Sequence, residues 1–219
     1  DGWYEVHLAA AGPGTRYAYL LAGEIRVPDP ASRFQADDVH GASEVIDPRS
    51  FAWRDATWTG RPWEEVVLYE LHVGTFTPSG AFVGVKDHLD YLVDLGITAI
   101  ELMPIADFPG KRNWGYDGVL PFAPDSSYGR PEDLKDLVQS AHAHGLMVFL
   151  DVVYHPPAAG GVGGPTLSFK GIDPHSWYRS DGKGNYIDVT GCGNTLQASS
   201  PHGVRHIVDS LRWWVEDVG

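Results

Sequence analysis

Three polar side chains stand close to the ends of apolar runs, and their types suit acid and hydrogen-bond chemistry. His72 and Glu101 lie near the ends of two such runs, and Asp151 ends a third. Barrels and open sheets of the α/β class place their chemistry at the carboxyl ends of their strands. We therefore expect the three side chains to meet at one rim. The alternative for His72 and Glu101 is that each satisfies a polar neighbour inside the core.

An aromatic loop lies between the second and third runs, Asn113-Trp114-Gly115-Tyr116-Asp117. Carboxyl groups beside flat aromatic rings are typical of sites that bind and cleave glycosides. The loop is therefore a candidate sugar platform near the rim. For Trp114 the competing interpretation is that its ring packs the loop.

The apolar stretch 145–155 organises the prediction of the fold. It is almost unbroken from Leu146 to Leu150, which is typical of a strand buried on both faces in a parallel sheet. A buried helix segment followed by a surface Asp is the alternative. The helical pattern immediately upstream favours the strand.

The order of the predicted elements is strand, helix, strand, helix, strand. The strands are predicted at 66–73, 97–103 and 146–153. The first helix is predicted from Val85, Leu89, Leu92 and Val93, which recur at helical spacing, and should end at Gly96. The second should begin at Pro131, bury Leu134, Leu137, Val138 and Ala141, and end at Gly145. Two consecutive βαβ units and a parallel sheet follow from this order.

The remaining segments complete a predicted domain plan. Residues 1–27 should be a β-rich, sandwich-like segment with strands at Trp3–Leu8 and Arg16–Leu21, and 28–65 an ordered linker wrapped on the next domain. Residues 66–154 carry the three strands with two helices, including a loop at 106–129. Residues 155–200 form a Gly- and Pro-rich excursion. Residues 201–219 form a third helix, capped by Ser200, with an apolar stripe of Val204, Ile207, Val208, Leu211 and Val215.

Composition excludes several classes of partner. The net charge is −13, from 29 acidic residues against 16 Lys and Arg. Nucleic acids and anionic membranes need basic patches, so neither is expected as a partner. Cys192 is the single cysteine, which fits a reducing, cytoplasmic compartment. We expect no membrane span, and the absence of an initiator Met suggests a piece of a longer protein.

Several motifs together resemble the α-amylase superfamily, glycoside hydrolase family 13. They are 68–76 (Leu-Tyr-Glu-Leu-His-Val-Gly-Thr-Phe), 100–104 (Ile-Glu-Leu-Met-Pro), 113–117, and Asp151-Val-Val-Tyr154. The resemblance implies the first three βα units of a (β/α)8 TIM barrel. Up to residue 154 the chain is most similar to the malto-oligosyltrehalose trehalohydrolase branch, on 29–35 and 39–41. Beyond it, 164–169, 171–173 and 191–196 resemble the glycogen-debranching and isoamylase branch, so we interpret the chain as a mosaic.

The resemblance also implies a set of substrate-binding residues. Tyr116 matches the tyrosine that stacks on the sugar at the bond being cut, and Asp151 matches an acid that supports the site. His155 corresponds to a sugar-binding histidine in a displaced position, because the motif here reads Tyr-His-Pro instead of ending in Asn-His. The predicted set is Trp114, Tyr116, Asp117, Asp151 and His155, and the expected ligand is an α-glucan oligosaccharide or polysaccharide.

The resemblance places the family's nucleophile and general acid after Gly219, so the catalytic residues of this chain are unassigned and little turnover is expected. The other local acids, Asp173, Asp181 and Asp188, show no spacing that selects a substitute pair. Two functions stay open: part of a retaining hydrolase of α-1,4-glucans, with α-1,6 debranching as a variant, and a non-catalytic glucan-binding fragment. A nucleotide-binding α/β domain is excluded because no Gly-rich phosphate loop follows a strand. No cofactor or metal motif is present, and exposed sheet edges predict self-association.

Overall fold

The computed structural model describes residues 5–154, 160–167, 169–191 and 193–219. At its centre lies a parallel sheet of three strands, β5 (Leu68–Leu71), β6 (Ala99–Leu102) and β9 (Met147–Leu150), in the order β5-β6-β9. Four shorter strands precede β5 and two lie between β6 and β9. The three apolar runs of the sequence thus form the central sheet, and two successive βαβ connections link them as predicted.

The register of the sheet decides which side chains share a face. Glu70 lies opposite Glu101, and Glu101 lies opposite Phe149. Their neighbours Leu71 and Leu102 are buried and point to the other face, because side chains alternate along a strand. One face of the sheet is therefore apolar and covered by helices, and the other carries acids towards its carboxyl end.

Three short helices connect β5 to β6, where the sequence predicts one. They are α1 (Val73–Phe76), α2 (Phe82–Lys86) and α3 (Leu89–Asp94). Val85, Leu89 and Leu92 are buried, and Val93 is 40% exposed. The helix breaks at His88, whose ring contacts the Gly84 carbonyl oxygen at 2.9 Å. The residues at helical spacing therefore lie on two short helices instead of the single helix expected from the sequence.

The second predicted helix is confirmed as α4 (Pro131–Ala143). Its first turn is capped by Asp133, whose carboxylate accepts a hydrogen bond of 2.8 Å from the Arg130 amide. It ends before Gly145, which has a φ of +71°. The predicted buried face is confirmed in full, with Leu134, Leu137, Val138 and Ala141 at 2% exposure or less.

The prediction that the third strand is buried on both faces is wrong. All four residues of β9 are only partly buried, and the strand ends at Leu150 instead of reaching Val153. Within the described ranges β9 pairs with β6 alone, so its other edge has no strand to cover it. The length of the apolar run identifies the strand but does not say how many neighbours it has.

The segment 106–129 is not a plain loop as predicted. It contains an antiparallel pair, β7 (Ala106–Asp107) and β8 (Leu120–Pro124), with a register shift at β7. The aromatic loop hangs between these two strands. Two prolines in β8 obscure its strand character in the sequence, because proline is rare inside sheets.

The first 65 residues contain less strand than predicted. The described residues of the expected strand Trp3–Leu8 form none and are exposed. The expected strand 16–21 divides into β1 (Arg16–Tyr17), paired with β4 (Ser43–Glu44), and β2 (Tyr19–Leu20), paired with β3 (Arg26–Val27). Two 3₁₀ turns follow, Pro48–Ser50 and Trp63–Glu65.

Residues 48–55 pack along α4. Lys135 donates a 2.8 Å hydrogen bond to the Pro48 carbonyl oxygen, and the Asp55 carboxylate lies 2.6 Å from the His142 ring. These contacts place this part of the chain against the second βαβ unit. The boundaries assigned to it from the sequence remain a prediction.

The last third of the chain contains α5 (Phe169–Ile172), α6 (Pro174–Trp177) and α7 (Pro201–Trp213), followed by a π-helical turn, Trp214–Val218. Ser200 caps α7 as predicted, accepting from Gly203 N at 3.4 Å. The apolar stripe of this segment is not its buried side, since Val204, Val208, Leu211 and Val215 are 38–74% exposed. The face that does pack inward presents Gly203, Ser210 and Trp213.

The main core lies between the apolar face of the sheet and its helices. It is built from Leu71, Phe82, Val85, Leu89, Leu92, Ile100, Leu102, Ile105, Phe108, Phe122, Tyr128, Leu134, Leu137, Val138, Leu146, Trp213 and Trp214, among others. This core fixes the strand ends and the base of the aromatic loop. Within the described ranges, no helix combines the length and the apolar character that crossing a bilayer requires.

Candidate functional site

Acidic side chains gather at the carboxyl ends of the three parallel strands. Glu70 and Glu101 are paired residues of β5 and β6. Asp151 follows β9, two residues beyond Phe149, and its amide donates a 2.9 Å hydrogen bond to the Leu102 carbonyl oxygen. The alternation of side chains therefore puts all three acids on one face. The predicted meeting of Glu101 and Asp151 is observed, and Glu70 joins them.

Glu70 is the member of this group that sequence reasoning missed. It stands within the quoted motif 68–76, but its placement beside Glu101 depends on the register between two strands that are separated by an entire helical connection. Partial burial, together with the charges of Glu70 and Asp151, raises the pKa of Glu101. A carboxyl group with this bias holds its proton more strongly than an isolated one, which is a property of acids that exchange protons with a ligand.

The aromatic loop is a tight turn organised by Asn113. The Asn113 side-chain oxygen accepts hydrogen bonds from the amides of Gly115 at 2.8 Å and Asp117 at 3.4 Å. Its side-chain nitrogen donates to the Asp117 carboxylate at 2.6 Å. Asp117 therefore closes the turn, and this contact occupies one oxygen of a side chain that the sequence assigned to substrate binding.

Glycine is required at the centre of this turn. Gly115 has a φ of +96°, and a Cβ atom there would lie 1.9 Å from the Pro104 carbonyl oxygen. The turn thus rests directly on the segment that follows β6 and aims its two aromatic side chains away from the core. Trp114 is 73% exposed and Tyr116 is 39% exposed. The alternative that Trp114 packs the loop is wrong.

Tyr116 reaches from the loop to the acidic strand ends. Its hydroxyl donates to Oδ2 of Asp151 at 3.4 Å. Partial loss of solvent, followed by the charges of Asp151 and Glu70, raises the pKa of Tyr116. An aromatic face and two kinds of hydrogen-bonding group therefore lie side by side, in the arrangement that a sugar ring with its hydroxyls requires.

His72 belongs to the same rim but contacts protein groups. Its Nε2 atom lies 2.6 Å from the Asn113 carbonyl oxygen and 3.1 Å from the Tyr128 hydroxyl, and Nδ1 lies 3.2 Å from the Thr75 hydroxyl. Both ring nitrogens thus have partners. These contacts agree with the alternative stated for His72, in which the side chain satisfies polar neighbours.

The remaining candidates fall outside the cluster. His155 lies outside the described residues. Asp173 caps α6, and Asp181 and Asp188 each accept hydrogen bonds from backbone amides of their own turns. No group of three His, Cys, Asp or Glu side chains among the described residues is placed to hold a metal ion.

The comparison with protein families gives a match over most of this region. The family described as "Alpha amylase, catalytic domain" matches residues 38–157. This interval includes the whole parallel sheet, the aromatic loop and Asp151. Catalytic domains of this family are TIM barrels, which agrees with parallel strands that carry their polar groups at the carboxyl ends.

Curated relatives match between 70% and 99% of the chain. A malto-oligosyltrehalose trehalohydrolase from Deinococcus radiodurans is 43% identical over 216 residues, covering 99% of this chain and 34% of the relative. The same enzyme from Saccharolobus solfataricus is 51% identical over 154 residues, covering 70% and 27%. A glycogen debranching enzyme from Pectobacterium atrosepticum is 38% identical over 196 residues, covering 78% and 30%. Likeness to a trehalohydrolase therefore continues past residue 154, where the mosaic interpretation places a change.

Solved structures agree with these sequence matches. A Salmonella typhimurium protein assigned as an alpha amylase superposes with a TM-score of 0.85 at 40% identity, covering 96% of this chain and 34% of that one. A pullulanase from Paenibacillus barengoltzii, in complex with maltohexaose and alpha-cyclodextrin, gives a TM-score of 0.75 at 26% identity, covering 88% and 36%. The chain spans about a third of the length of the relatives it matches. By its sheet, its rim residues and these matches, the chain belongs to the alpha-amylase family, glycoside hydrolase family 13.

Proposed function

We propose that this chain contributes the glucan-binding rim of a retaining glycoside hydrolase that acts on α-1,4-linked glucans such as starch, maltodextrin or malto-oligosyl trehalose. The observation that carries the proposal is the contact between the Tyr116 hydroxyl and Asp151, beside the exposed ring of Trp114. The two trehalohydrolases described above, 43% and 51% identical over 99% and 70% of the chain, favour malto-oligosyl trehalose among these substrates.

Sugar recognition at this rim would combine two interactions. The apolar face of a glucose ring packs on an aromatic side chain, for which Trp114 and Tyr116 are available. The hydroxyl groups of the sugar would donate to carboxylate oxygens, of which Asp151, Glu70 and Glu101 offer several. Tyr116 supplies both a ring and a hydroxyl, so we assign it the central role. His155 remains a proposed sugar ligand.

The finer architecture is also a proposal. We infer that β5, β6 and β9 are the first three strands of an eight-stranded barrel, preceded by a sandwich-like segment at 1–27 and a linker at 28–65. The uncovered edges of β5 and β9 within the described ranges support this interpretation, because strands of a closed barrel have a neighbour on each side.

The reaction itself would need two carboxyl groups. Retaining glycosidases place a nucleophile and an acid about 5 Å apart on either side of the bond. No such pair is assigned in this chain. The three rim acids therefore act, in this proposal, by binding the sugar and by setting the electrostatic potential around it.

A second candidate function is the cleavage of α-1,6 branches. The debranching relative at 38% identity and the pullulanase superposition favour it. A non-catalytic glucan-binding role is the third candidate. The three differ in ligand preference and turnover: linear malto-oligosaccharide with trehalose at its end, branched glucan, or binding without sugar release.

Calorimetric titration of the 219-residue chain tests the proposal. Maltoheptaose, malto-oligosyl trehalose and a branched dextrin are each titrated into the wild type, Trp114→Ala and Tyr116→Ala. We expect affinity for the linear ligands to fall by about fivefold or more in both variants, since stacking an aromatic ring on a ligand contributes on the order of 1 kcal/mol or more. Reducing-sugar release is measured in parallel with each ligand.

Trp58→Ala is the control, because the Trp58 ring stacks on His142 of α4, outside the rim. It should bind as the wild type does. Equal affinity of wild type, Trp114→Ala and Tyr116→Ala would remove the rim as the binding site. Preference for the branched dextrin would replace the first function with the second.

A further inference from the structure

We propose that His72 is a positioning residue that locks the aromatic loop in its sugar-binding conformation. In its consequence for ligand binding, the inference rests on the proposed function. It goes beyond that function because His72 itself touches no proposed sugar position. The two partners of its Nε2 atom, the Asn113 carbonyl oxygen and the Tyr128 hydroxyl, connect the base of the loop to the buried core.

The hydrogen-bond partners of His72 determine which of its ring nitrogens carries the proton. Nε2 lies 2.6 Å from the carbonyl oxygen of Asn113, an atom that only accepts hydrogen bonds. Nε2 must therefore carry a proton and donate it. In the neutral ring Nδ1 is then an acceptor, and the Thr75 hydroxyl at 3.2 Å can donate to it. The geometry thus selects the Nε2–H tautomer.

Packing on both sides of the His72 ring restricts its movement. The Tyr128 hydroxyl lies 3.1 Å from Nε2, and the Tyr128 ring meets the imidazole edge to face. Tyr128 is 2% exposed and packs against the rings of Phe82 and Phe108. On the other side Gly74 leaves room for the imidazole, since a Cβ atom there would lie 2.9 Å from its Cε1. The ring is held by the core.

Hydrogen bonds connect His72 to the turn that carries the aromatic side chains. The Asn113 backbone is fixed by His72, while its side chain accepts from Gly115 N and donates to Asp117. Trp114 and Tyr116 alternate with these residues. In the described part of the chain, residues 109–118 are tied to the rest by hydrogen bonds from Gly110 to Asp38, from His72 to Asn113 and from Tyr116 to Asp151. Without the middle tether, the turn can rotate as a unit about its two ends.

The matched pair of variants is His72→Gln and His72→Asn. The side-chain amide of Gln reaches the place of Nε2, so it can still donate to the Asn113 carbonyl. The shorter Asn reaches only the place of Nδ1, beside Thr75. If His72 acts by positioning the loop, His72→Gln should keep the loop in its wild-type conformation and His72→Asn should not. Both variants lose the imidazole ring, so the loss of its packing affects them alike. Melting temperatures of both variants give the general effect on folding.

Cleavage by trypsin measures the mobility of the loop without any ligand, because Lys111 and Arg112 are exposed and immediately precede Asn113. Cleavage at these two sites should be several-fold to about tenfold faster in His72→Asn, as expected for the loss of one hydrogen bond, and near the wild-type rate in His72→Gln. Cleavage at the exposed Arg49 serves as the internal control. Equal rates in all three proteins would overturn the inference.

Two further measurements complete the test. Nitrogen-15 NMR of the wild type should show His72 protonated at Nε2; protonation at Nδ1 alone would overturn the inference without any variant. Maltoheptaose affinity should fall about three- to tenfold in His72→Asn, and this loss should disappear in a Tyr116→Ala background, where the positioned ring is absent. An undiminished loss there would contradict positioning through Tyr116. If maltoheptaose binds none of the proteins, the proposed function fails, while the protease and NMR results still decide the role of His72.

Discussion

Glu70 and Glu101 stand directly opposite each other on neighbouring parallel strands, and both share a face with Asp151. Like charges at such positions disfavour ionisation. This accounts for part of the raised pKa of Glu101, after partial burial, which is its largest cause. The acidic rim is therefore an electrostatically coupled group, and a change at one acid should be measurable at another.

Glu70→Gln should lower the pKa of Glu101 towards its ordinary value, because one of the two nearby negative charges is removed. Carbon-13 NMR titration of the side-chain carboxyl groups measures this directly. Glu64→Gln is the control, since Glu64 is exposed in the turn before β5 and is not among the groups that shift Glu101. An unchanged titration of Glu101 in Glu70→Gln would show that the charge of Glu70 does not influence Glu101.

The sequence predicted the elements whose pattern is local and missed those that depend on distant partners. The face of α4 is correct because Leu134, Leu137 and Val138 repeat at helical spacing and Gly145 ends the helix. The pairing of β7 with β8 was missed because β7 has only two residues and β8 contains prolines. For α7 the amphipathic pattern predicts a helix, but the buried side is set by what packs against it.

The same distinction applies to the candidate site. Tyr116 and Asp151 were found because each stands in a recognisable motif, and the structure places them in contact. Glu70 and the anchoring of Asn113 by His72 could not be found in this way. The first depends on strand register, and the second joins residues 41 positions apart.

His206 should make the protein less stable in mild acid. Its ring packs edge to face against Phe122, Phe169 and Trp177, and burial, followed by the charge of Arg33, lowers the pKa of His206 to about 4. The unfolded chain binds this proton near pH 6.5, so the unfolded state takes up more protons between these values and stability falls as pH falls through them. The difference corresponds to about 3 kcal/mol.

Urea unfolding of wild type and His206→Phe at pH 7 and pH 4.5 measures this effect. The wild type should lose about 2 to 3 kcal/mol more than the variant on acidification. His40→Gln, at an exposed histidine, should behave like the wild type. The same loss in His206→Phe and in wild type would show that His206 is not the group responsible.

Asp107 should have the opposite pH dependence. It is fully buried, and burial followed by the charge of Asp125 raises its pKa well above the ordinary value. The folded state therefore favours the protonated form. Stability from this group is fully present below the unfolded pKa near 4 and is lost as pH rises towards the folded pKa. Asp107→Asn has a similar shape and no charge to desolvate.

We expect Asp107→Asn to melt at a higher temperature than the wild type at pH 8, and the difference to shrink towards pH 4. Calorimetric scans across this range provide the measurement. Asp94→Asn, at an exposed acid, should show no such trend. A variant that is less stable at pH 8 would mean that the charge of Asp107 is compensated in the folded protein.

The exposed apolar face of α7 and the turn after it, formed by Val204, Val208, Leu211 and Val215, should drive association of the isolated chain. A groove of about 350 Å³ between this face and β9 adds further apolar surface, including Phe149 and Val152. Apolar patches of this kind are sites of contact or aggregation. We expect oligomers by light scattering and binding of a hydrophobic dye.

The double variant Val208→Glu with Val215→Glu should reduce both signals with little change in melting temperature, because these side chains are already 46% and 74% exposed. Val6→Glu is the control, at an exposed valine that is distant in sequence from Val208 and Val215. A monodisperse wild-type monomer that binds no dye would show that this face is stable in water.

Gly115 and Gly110 provide a comparison that isolates the geometry of the aromatic loop. Both have positive φ, +96° and +88°, so an alanine at either position carries a backbone cost of about 1 to 2 kcal/mol. They differ in surroundings. A Cβ atom at Gly110 meets nothing within 4 Å, whereas one at Gly115 would overlap the Pro104 carbonyl oxygen at 1.9 Å. Since two atoms cannot share that space, the turn must leave its support on the segment after β6.

We therefore expect Gly115→Ala to be destabilised by about 2 kcal/mol or more beyond Gly110→Ala in urea unfolding. It should also lose maltoheptaose binding, because Trp114 and Tyr116 move with the turn. Gly110→Ala should keep wild-type affinity. Similar stability and affinity in the two variants would mean that the turn has another conformation that presents the same rings.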